Sequence, residues 1–305
     1  MDEIQEDKYK SVGVDISKDD STGQEILTEV QTVVRSVNST KDKDYDDTWS
    51  NYTNLETFLK FLGQTSYYLG LQKNLCKIIS IIKPSCILEL GFGTGHTAFR
   101  VAKENPNIKI QALDIRPKMV EIATDLAEKL QINNVNFSRG DMKKRVKEGL
   151  NEFDFIYLLY NFHHIEDSSA PNTKRDGIKT EFLRDCFYHM KPNSYLCIAE
   201  LFLPPENDKR SLENLFESRI KEGHASTFWN DLKSLEKEAI RSAIETAQYC
   251  EAKEENVGIK VANREHEYLV TKSWLENQAR GLGFIKIIDE DINTVGDAIM
   301  LFKKE

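Results

Sequence analysis

Three glycines after a short apolar run are the residues of this chain that point most directly to chemistry. Ile87–Leu90 is typical of a buried parallel strand, and Gly91, Gly93 and Gly95 follow it at every second position. Glycine has no Cβ, so a glycine backbone turns sharply and approaches a ligand closely. The segment therefore predicts a strand followed by a ligand-binding turn.

A carboxylate follows the next predicted strand. After a helix over His96–Lys103, the apolar run Ile108–Leu113 ends at Asp114. An acidic side chain in this place can accept hydrogen bonds from both hydroxyls of a ribose. Strand, glycine turn, helix, strand and acid together predict a nucleotide-cofactor site.

The glycine spacing separates two cofactor classes. Dinucleotide-binding enzymes have Gly-x-Gly-x-x-Gly, whose last glycine allows close helix packing over a pyrophosphate. Here the pattern is Gly-x-Gly-x-Gly, and His96 occupies the sixth position. The spacing disfavours an NAD-linked reductase, which we keep as an alternative.

With Glu89 included, the segment Glu-Leu-Gly-Phe-Gly-Thr-Gly resembles motif I of the class I S-adenosylmethionine-dependent methyltransferases. The resemblance implies that S-adenosylmethionine is the cofactor, that Glu89 lies near its methionine moiety and that Asp114 holds its ribose. A sulfonium cofactor carries no phosphate, which fits a carboxylate beside the turn. The cofactor-binding residues expected from the resemblance are Glu89, Gly91, Gly93, Gly95, Asp114, Ile115, Asp141, Met142 and Tyr68.

The later elements follow in the order of the same family. Val135–Ser138 is predicted as the third strand, and Asp141 and Met142 come after it, where the family places an acid and an apolar residue at the adenine. Asp141 is equally well explained as a helix N-cap. A helix is predicted over Arg175–Met190, and the remaining strands over Phe153–Leu159, Tyr195–Leu203, Phe284–Ile288 and Asp297–Phe302.

The expected fold is α/β and Rossmann-like, with a mostly parallel seven-stranded sheet, helices on both faces, N-terminal helices and a helical lid insertion. Residues 1–83 are expected to be a tail and cap helices, and residues 84–305 the S-adenosylmethionine-binding methyltransferase domain. Residues 1 to 50 are charged and poor in large apolar side chains, which predicts fraying. Apolar residues recur at helical spacing from Leu55 to Ile82, where Tyr67 and Tyr68 either line the site or simply pack on the helix.

Residues 206–266 are the main departure from a minimal methyltransferase core. Their apolar positions repeat at helical intervals, which predicts extra helices. Related small-molecule enzymes build a lid at this point, above the carboxyl ends of the strands, where open α/β sheets bind ligands. Polar turns packed over aromatic residues explain the segment as well. The expected substrate-binding residues are Tyr67, Arg219, His224, Trp229 and Arg264.

The catalytic candidates are His164, His163 and Tyr160, just past the fourth strand. Holding donor and acceptor in line can account for about 7 to 11 kcal/mol of the barrier, whereas a general base adds only ~100- to 10,000-fold in rate. A hydroxyl or ammonium acceptor must still lose a proton, and His164 is the favoured base because the unperturbed imidazole pKa is about 6.5. The alternative is that one imidazole only caps or packs the following helix.

The histidine pair does not predict a metal site. His163, His164, Glu166 and Asp167 are adjacent and diverge in direction, and no Asp/Asp/Asn set accompanies them. The five cysteines lack Cys-x-x-Cys spacing and are expected to be buried thiols.

Composition favours a cytoplasmic enzyme. The net charge of −9 disfavours binding to a phosphate backbone. The acidic N-terminus has no signal-peptide core, and no stretch approaches the ~20 apolar residues of a membrane span. We expect neither nucleic acid nor membrane as a partner, and a homodimer stays open.

The predicted function is transfer of a methyl group to an O, N or C atom of a small molecule, such as a specialised metabolite, bound under the lid. A protein or RNA methyltransferase is the alternative. The acidity argues against RNA, and Tyr160-Asn161-Phe162-His163 replaces the Asn/Asp-Pro-Pro-Tyr motif of amide and adenine amino methylation. A non-catalytic S-adenosylmethionine-binding module is less favoured.

Overall fold

One sheet organises the described part of the chain. The computed structural model describes residues 21–36, 66–165, 175–202, 270–292 and 296–305. Within these ranges the helices are α1 (Ser21–Ser36), α2 (Ser66–Ile82), α3 (His96–Glu104), α4 (Pro117–Lys129), α5 (Met142–Glu148), α6 (Arg175–His189) and α7 (Lys272–Leu282). The strands are β1 (Cys86–Leu90), β2 (Lys109–Asp114), β3 (Val135–Arg139), β4 (Phe155–Leu159), β5 (Tyr195–Leu201), β6 (Phe284–Asp291) and β7 (Asp297–Lys304).

The seven strands lie in the order β3-β2-β1-β4-β5-β7-β6. The strands β1 to β5 are parallel, and β7 runs antiparallel between β5 and β6. The strand order reverses between β1 and β4, and ligands of open α/β sheets bind at the carboxyl ends beside such a point. The predicted Rossmann-like fold with a mostly parallel seven-stranded sheet is confirmed.

Helices cover both faces of the sheet. Alternate residues of β1 point to opposite faces, with Leu88 and Leu90 in a core shared with α5, α6 and α7, and Ile87 in a core shared with α2 and α3. Strands buried on both faces read as continuous apolar runs, and β4 is buried at every position. This is why the parallel strands were predictable from short apolar runs.

The predicted elements coincide with the observed ones except at their ends. Strand β4 begins at Phe155, and Phe153 is buried just before it. Strand β6 continues past Ile288 to Asp291, because its acidic end pairs with β7. The stretch 37–65 and the predicted lid at 206–266 lie outside the described residues.

Helix α1 corrects one expectation. Fraying was expected over residues 1 to 50, yet residues 21–36 form a helix that packs on α3 and α4. Ile26 and Val30 are buried against Phe92 and Phe99. The charged composition misled the prediction, because two apolar side chains one helical turn apart are enough to anchor a short amphipathic helix.

Cys76, Cys186 and Cys197 are buried free thiols and Cys86 is a half-buried one, whereas Cys250 lies outside the described residues. Of the helices in the described ranges, none combines the length and the apolar character needed to cross a membrane.

We expect α1 to contribute to global stability. Ile26→Ala should lower the free energy of unfolding by about 2 to 4 kcal/mol, since it removes a buried side chain from a packed core. Glu25→Ala on the same helix, which removes an exposed ion pair to Lys103, should cost less than ~1 kcal/mol. Urea unfolding of both variants measures the difference, and equal small losses would show that α1 is not part of the cooperative fold.

Candidate functional site

The glycine turn after β1 adopts a conformation that L side chains rarely take. Gly91, Gly93 and Gly95 have φ values of 81°, 57° and 80°. A Cβ at Gly91 would overlap the Asn161 side chain, and one at Gly95 would lie 2.9 Å from Phe99. A Cβ at Gly93 would meet no atom within 4 Å. The turn is therefore packed at both ends and exposes its backbone at Gly93, as a ligand cradle requires.

Asp114 at the end of β2 is joined directly to this turn. It is 2% exposed, and its Oδ2 accepts the N–H of Gly93 at 2.8 Å. Its Oδ1 accepts the N–H of Arg116 at 2.9 Å. Half-buried Ile115 follows, and its carbonyl accepts Nε of Arg139 at 3.3 Å. The acid predicted to hold the ribose thus lies beside the exposed backbone of Gly93.

Glu89 is a buried carboxyl group with spare hydrogen-bonding capacity. It is 2% exposed on β1, in register with Tyr157 on β4. Burial raises the pKa of Glu89 to about 8 against the opposing influence of the Tyr157 hydroxyl, and the charge of Asp114 adds to the rise. Within the described residues its Oε2 has no hydrogen-bond partner. An ammonium group such as that of a methionine moiety would satisfy this oxygen, so the residue fits its predicted role.

Asp141 and Met142, which are predicted to contact the adenine, lie at the N-terminus of helix α5. The Asp141 side chain accepts the N–H of Lys143 at 2.8 Å and so caps α5. Half-buried Met142 packs against the core beneath α5 and α6. The N-cap interpretation of Asp141 is confirmed, and contact of these two residues with the cofactor stays a prediction.

Helix α2 supplies an aromatic wall. The ring of half-buried Tyr68 stacks on Tyr160 with centroids 6.1 Å apart, and lies 5.8 Å from the His96 ring. Burial raises the pKa of Tyr68 to about 12, against the opposing hydrogen bond of Thr97. The phenol therefore stays protonated at neutral pH. Tyr67 also lies in α2, but its side chain is outside the described residues.

The loop after β4 is tied both to the glycine turn and to β7. Tyr160 has a φ of 52°, and its hydroxyl donates to Oδ1 of buried Asp297 at 2.5 Å. The next residue, Asn161, donates from Nδ2 to the carbonyl oxygens of Gly91 at 2.5 Å and Leu159 at 2.8 Å. The loop after β4 and the glycine turn are thus connected by a direct hydrogen bond.

His163 has a carboxylate partner. It is 8% exposed, and its Nδ1 lies 2.9 Å from Oε2 of Glu200, at the end of β5. Because a carboxylate accepts the hydrogen bond, Nδ1 carries the proton and Nε2 is the basic nitrogen. The pair has the geometry of a general base oriented by an acid.

His164 is placed less favourably for accepting a proton. Its ring lies 4.1 Å from that of His163. Burial lowers the pKa of His164 well below its usual value, and the positive charges of Arg116 and Lys179, together with any proton taken up by His163, act in the same direction. The imidazole is neutral at pH 7 but weakly basic. A catalytic role for His164 stays a prediction, without the carboxylate that His163 has.

Sequence analysis missed three buried polar residues at this edge. Glu200, Lys179 and Asp297 contact the loop after β4 from β5, α6 and β7. Each interrupts or borders an apolar run in the sequence, and this was the pattern that could have indicated a buried charged residue. A pattern of single charges in a core run does not say which distant residue each one binds.

Part of the predicted site cannot be placed. Arg219, His224, Trp229 and Arg264 lie outside the described residues. In the ranges that the structure describes, no group of three His, Cys, Asp or Glu side chains is arranged to hold a metal ion.

Comparison with known proteins identifies the family. A family model described as a methyltransferase domain matches residues 83–256, which is more than half of the chain. The chain belongs to this methyltransferase domain family. The class I resemblance, the enzyme class and S-adenosylmethionine as cofactor are thereby confirmed, and the NAD-linked alternative loses its support.

Two curated methyltransferases share parts of the sequence. Over 177 residues the chain is 28% identical to demethylmenaquinone methyltransferase of Thermotoga maritima, covering 58% of this chain and 67% of the relative. Over 95 residues it is 32% identical to release factor glutamine methyltransferase of Vibrio cholerae. That alignment covers 31% of this chain and 32% of the relative, so the chain spans about a third of that protein's length.

A solved structure shares the fold. An O-methyltransferase family protein from Burkholderia thailandensis aligns with a TM-score of 0.53 at 11% identity, covering 92% of this chain and 70% of the other. At this identity the likeness shows the fold alone, in agreement with the strand order of the sheet.

The buried carboxyl group generates a prediction about pH. With a pKa near 8 against the usual 4.5, folded Glu89 keeps a proton that the unfolded chain loses, so the protein loses stability as pH rises between these values. Glu89→Gln removes this loss and should be more stable than wild type at pH 8, with the advantage vanishing near pH 5. Urea unfolding at both pH values measures it.

At pH 8 the same substitution should weaken binding of S-adenosylhomocysteine in calorimetry by about tenfold or more, because a neutral glutamine cannot supply the carboxylate charge that the ligand's ammonium group attracts. Exposed Glu148→Gln is the matched control and should change neither quantity. A stability difference between wild type and Glu89→Gln that is constant with pH would contradict the raised pKa.

Proposed function

We propose that the chain transfers the methyl group of S-adenosylmethionine to a small molecule bound at the carboxyl edge of the sheet. One observation carries the proposal: Asn161 joins the loop of Tyr160 and His163 to the glycine turn, so a prepared base and an aromatic wall adjoin the cofactor cradle. The relative from Thermotoga maritima is named for demethylmenaquinone, which is a small molecule, and this supports a small-molecule acceptor.

Binding and positioning are the first task of the chain's own residues. S-adenosylmethionine supplies, when bound, a methyl group activated by a sulfonium. Glu89, Asp114 and the backbone at Gly93 are suited to hold it, and the stacked rings of Tyr68 and Tyr160 form an apolar wall. Positioning can account for about 7 to 11 kcal/mol of the barrier, so this rigid frame outweighs any single proton transfer.

Proton removal is the second task when the acceptor is a hydroxyl or an ammonium. His163 is the better base, because Glu200 orients its ring through Nδ1 and stabilises the imidazolium that forms. The proton moves from the acceptor to Nε2. His164 is disfavoured, since protonation there is opposed by burial and by the neighbouring positive charges of Arg116 and Lys179.

Protein methylation is the second candidate, because a release factor glutamine methyltransferase is 32% identical over 95 residues. The loop chemistry argues against it. The Asn161 amide is engaged by the carbonyls of Gly91 and Leu159, and Phe162 and His163 follow it in place of two prolines. The acidic composition argues against RNA in the same way. The predicted acceptor contacts from residues 206–266, and a homodimer, remain proposals.

Two measurements test cofactor binding and acceptor class separately. S-adenosylhomocysteine should raise the melting temperature of the full chain, and NAD should not. Formation of S-adenosylhomocysteine is then followed with S-adenosylmethionine and three sets of acceptors: quinols, phenols and amines; a glutamine-containing peptide; and RNA. Turnover with a small acceptor supports the proposal, whereas turnover with the peptide or RNA alone contradicts it.

The assignment of the base gives a further prediction. With a hydroxyl acceptor, His163→Gln should lower kcat by ~100-fold or more at unchanged affinity for S-adenosylhomocysteine. His164→Gln is the matched control and should lower kcat much less. If His164 were the base instead, the acidic limb of the rate profile would lie well below pH 6.5, because its pKa is lowered. A full-rate His163→Gln enzyme would indicate catalysis by positioning alone.

A further inference from the structure

Two buried side chains of opposite charge bond the backbone of the same two residues, Phe162 and His163, in the loop after β4. Lys179 in α6 is 0% exposed, and its Nζ donates to the carbonyl oxygens of Phe162 at 3.0 Å, His163 at 3.3 Å and Ile165 at 3.1 Å. Glu200 is 1% exposed, and its Oε2 accepts the N–H groups of Phe162 and His163 at 3.1 and 3.3 Å. The carboxylate thus binds the N–H groups of Phe162 and His163, and the ammonium binds their C=O groups, so the peptide between these two residues is held at both ends.

This arrangement serves a backbone that has left the sheet. Residues 160–165 follow β4 as turns rather than helix or strand. Backbone bonds such as Ile165 N–H to the Phe162 carbonyl satisfy part of their peptide groups, and the other buried N–H and C=O groups need partners from side chains. Charged partners are an expensive solution, because replacing a buried ionic group by a well-packed apolar one is often neutral or stabilising. Stability alone therefore does not explain a buried ammonium and a buried carboxylate here.

Lys179 is a single charged residue in an otherwise apolar stripe of helix α6. Phe182, Leu183 and Cys186 form a buried apolar stripe on this helix. Lys179 lies one turn before Leu183, where an apolar residue would continue the stripe. Its Nζ also lies 5.2 Å from the centroid of the Phe162 ring. The lysine thus interrupts the stripe where α6 passes the loop.

We propose that Lys179 is a positioning residue that, together with Glu200, presets the acceptor side of the site. It holds the loop in the one conformation in which His163 bonds Glu200 and the Tyr160 hydroxyl reaches Asp297. Lys179 acts through the loop backbone. Its effect on turnover rests on the proposed function, whereas its effect on the loop does not.

The test compares Lys179→Met, which keeps an unbranched side chain one atom shorter and removes the ammonium, with Arg184→Met, which removes an exposed cation on the same helix. In Lys179→Met, amide hydrogen exchange at Phe162 and His163 should be about tenfold faster or more. Affinity for S-adenosylhomocysteine should stay within about twofold, and kcat should fall about tenfold or more at unchanged KM for S-adenosylmethionine. Arg184→Met should match wild type in every measurement, and Lys179→Arg should recover part of the loss.

A second variant, Glu200→Gln, tests the proposal if Lys179→Met does not fold. Glu200→Gln keeps the shape of the carboxylate and should accelerate exchange of the same two amides. Unchanged exchange in the folded variants would overturn the proposal, and so would faster exchange with wild-type kcat. If wild type methylates no small acceptor, the proposed function fails, and hydrogen exchange alone decides whether Lys179 holds the loop.

Discussion

Parallel strands that end at one edge of a sheet leave backbone N–H and C=O groups without strand partners, and the site of this chain is built from side chains that satisfy them. Asp114 binds the N–H of Gly93, and Asn161 binds the carbonyl of Gly91. Each bond satisfies a peptide group and also fixes a turn. The conformations of the glycine turn and of the loop after β4 are consequences of the same requirement.

The density of buried charge at this edge separates it from the rest of the core. Glu89, Asp114, Glu200, Lys179 and Asp297 are all at most 2% exposed, whereas the two sheet faces below are lined by aliphatic and aromatic residues. Burying charges costs free energy, and for Asp114, Glu200 and Lys179 the cost is offset by hydrogen bonds to backbone groups of the turns. Glu89 instead avoids the cost by staying protonated near neutral pH. Such a concentration is expected where electrostatics serves binding and proton transfer rather than stability.

The N-terminal helices α1 and α2 pack against this edge of the sheet. Helix α2 brings Tyr68 against Tyr160, and helix α1 packs on Phe92 of the glycine turn through Ile26 and Val30. His96, directly after the last glycine, has its Nε2 3.1 Å from the carbonyl of Gly23 in α1. The turn is thus supported on the side away from the strands, and the segments before the methyltransferase match contribute to the site.

The sequence by itself determined the strands, the glycine turn and the acids Glu89 and Asp114, because these depend on short apolar runs and on residues a few positions apart. Only the tertiary structure decided that His163 is paired with Glu200, 37 positions away, and Tyr160 with Asp297, 137 positions away. It also decided that α1 packs on the core despite its charged surroundings. Hydrogen bonding between side chains depends on distance and direction in space, and neither can be read from residue types along the chain.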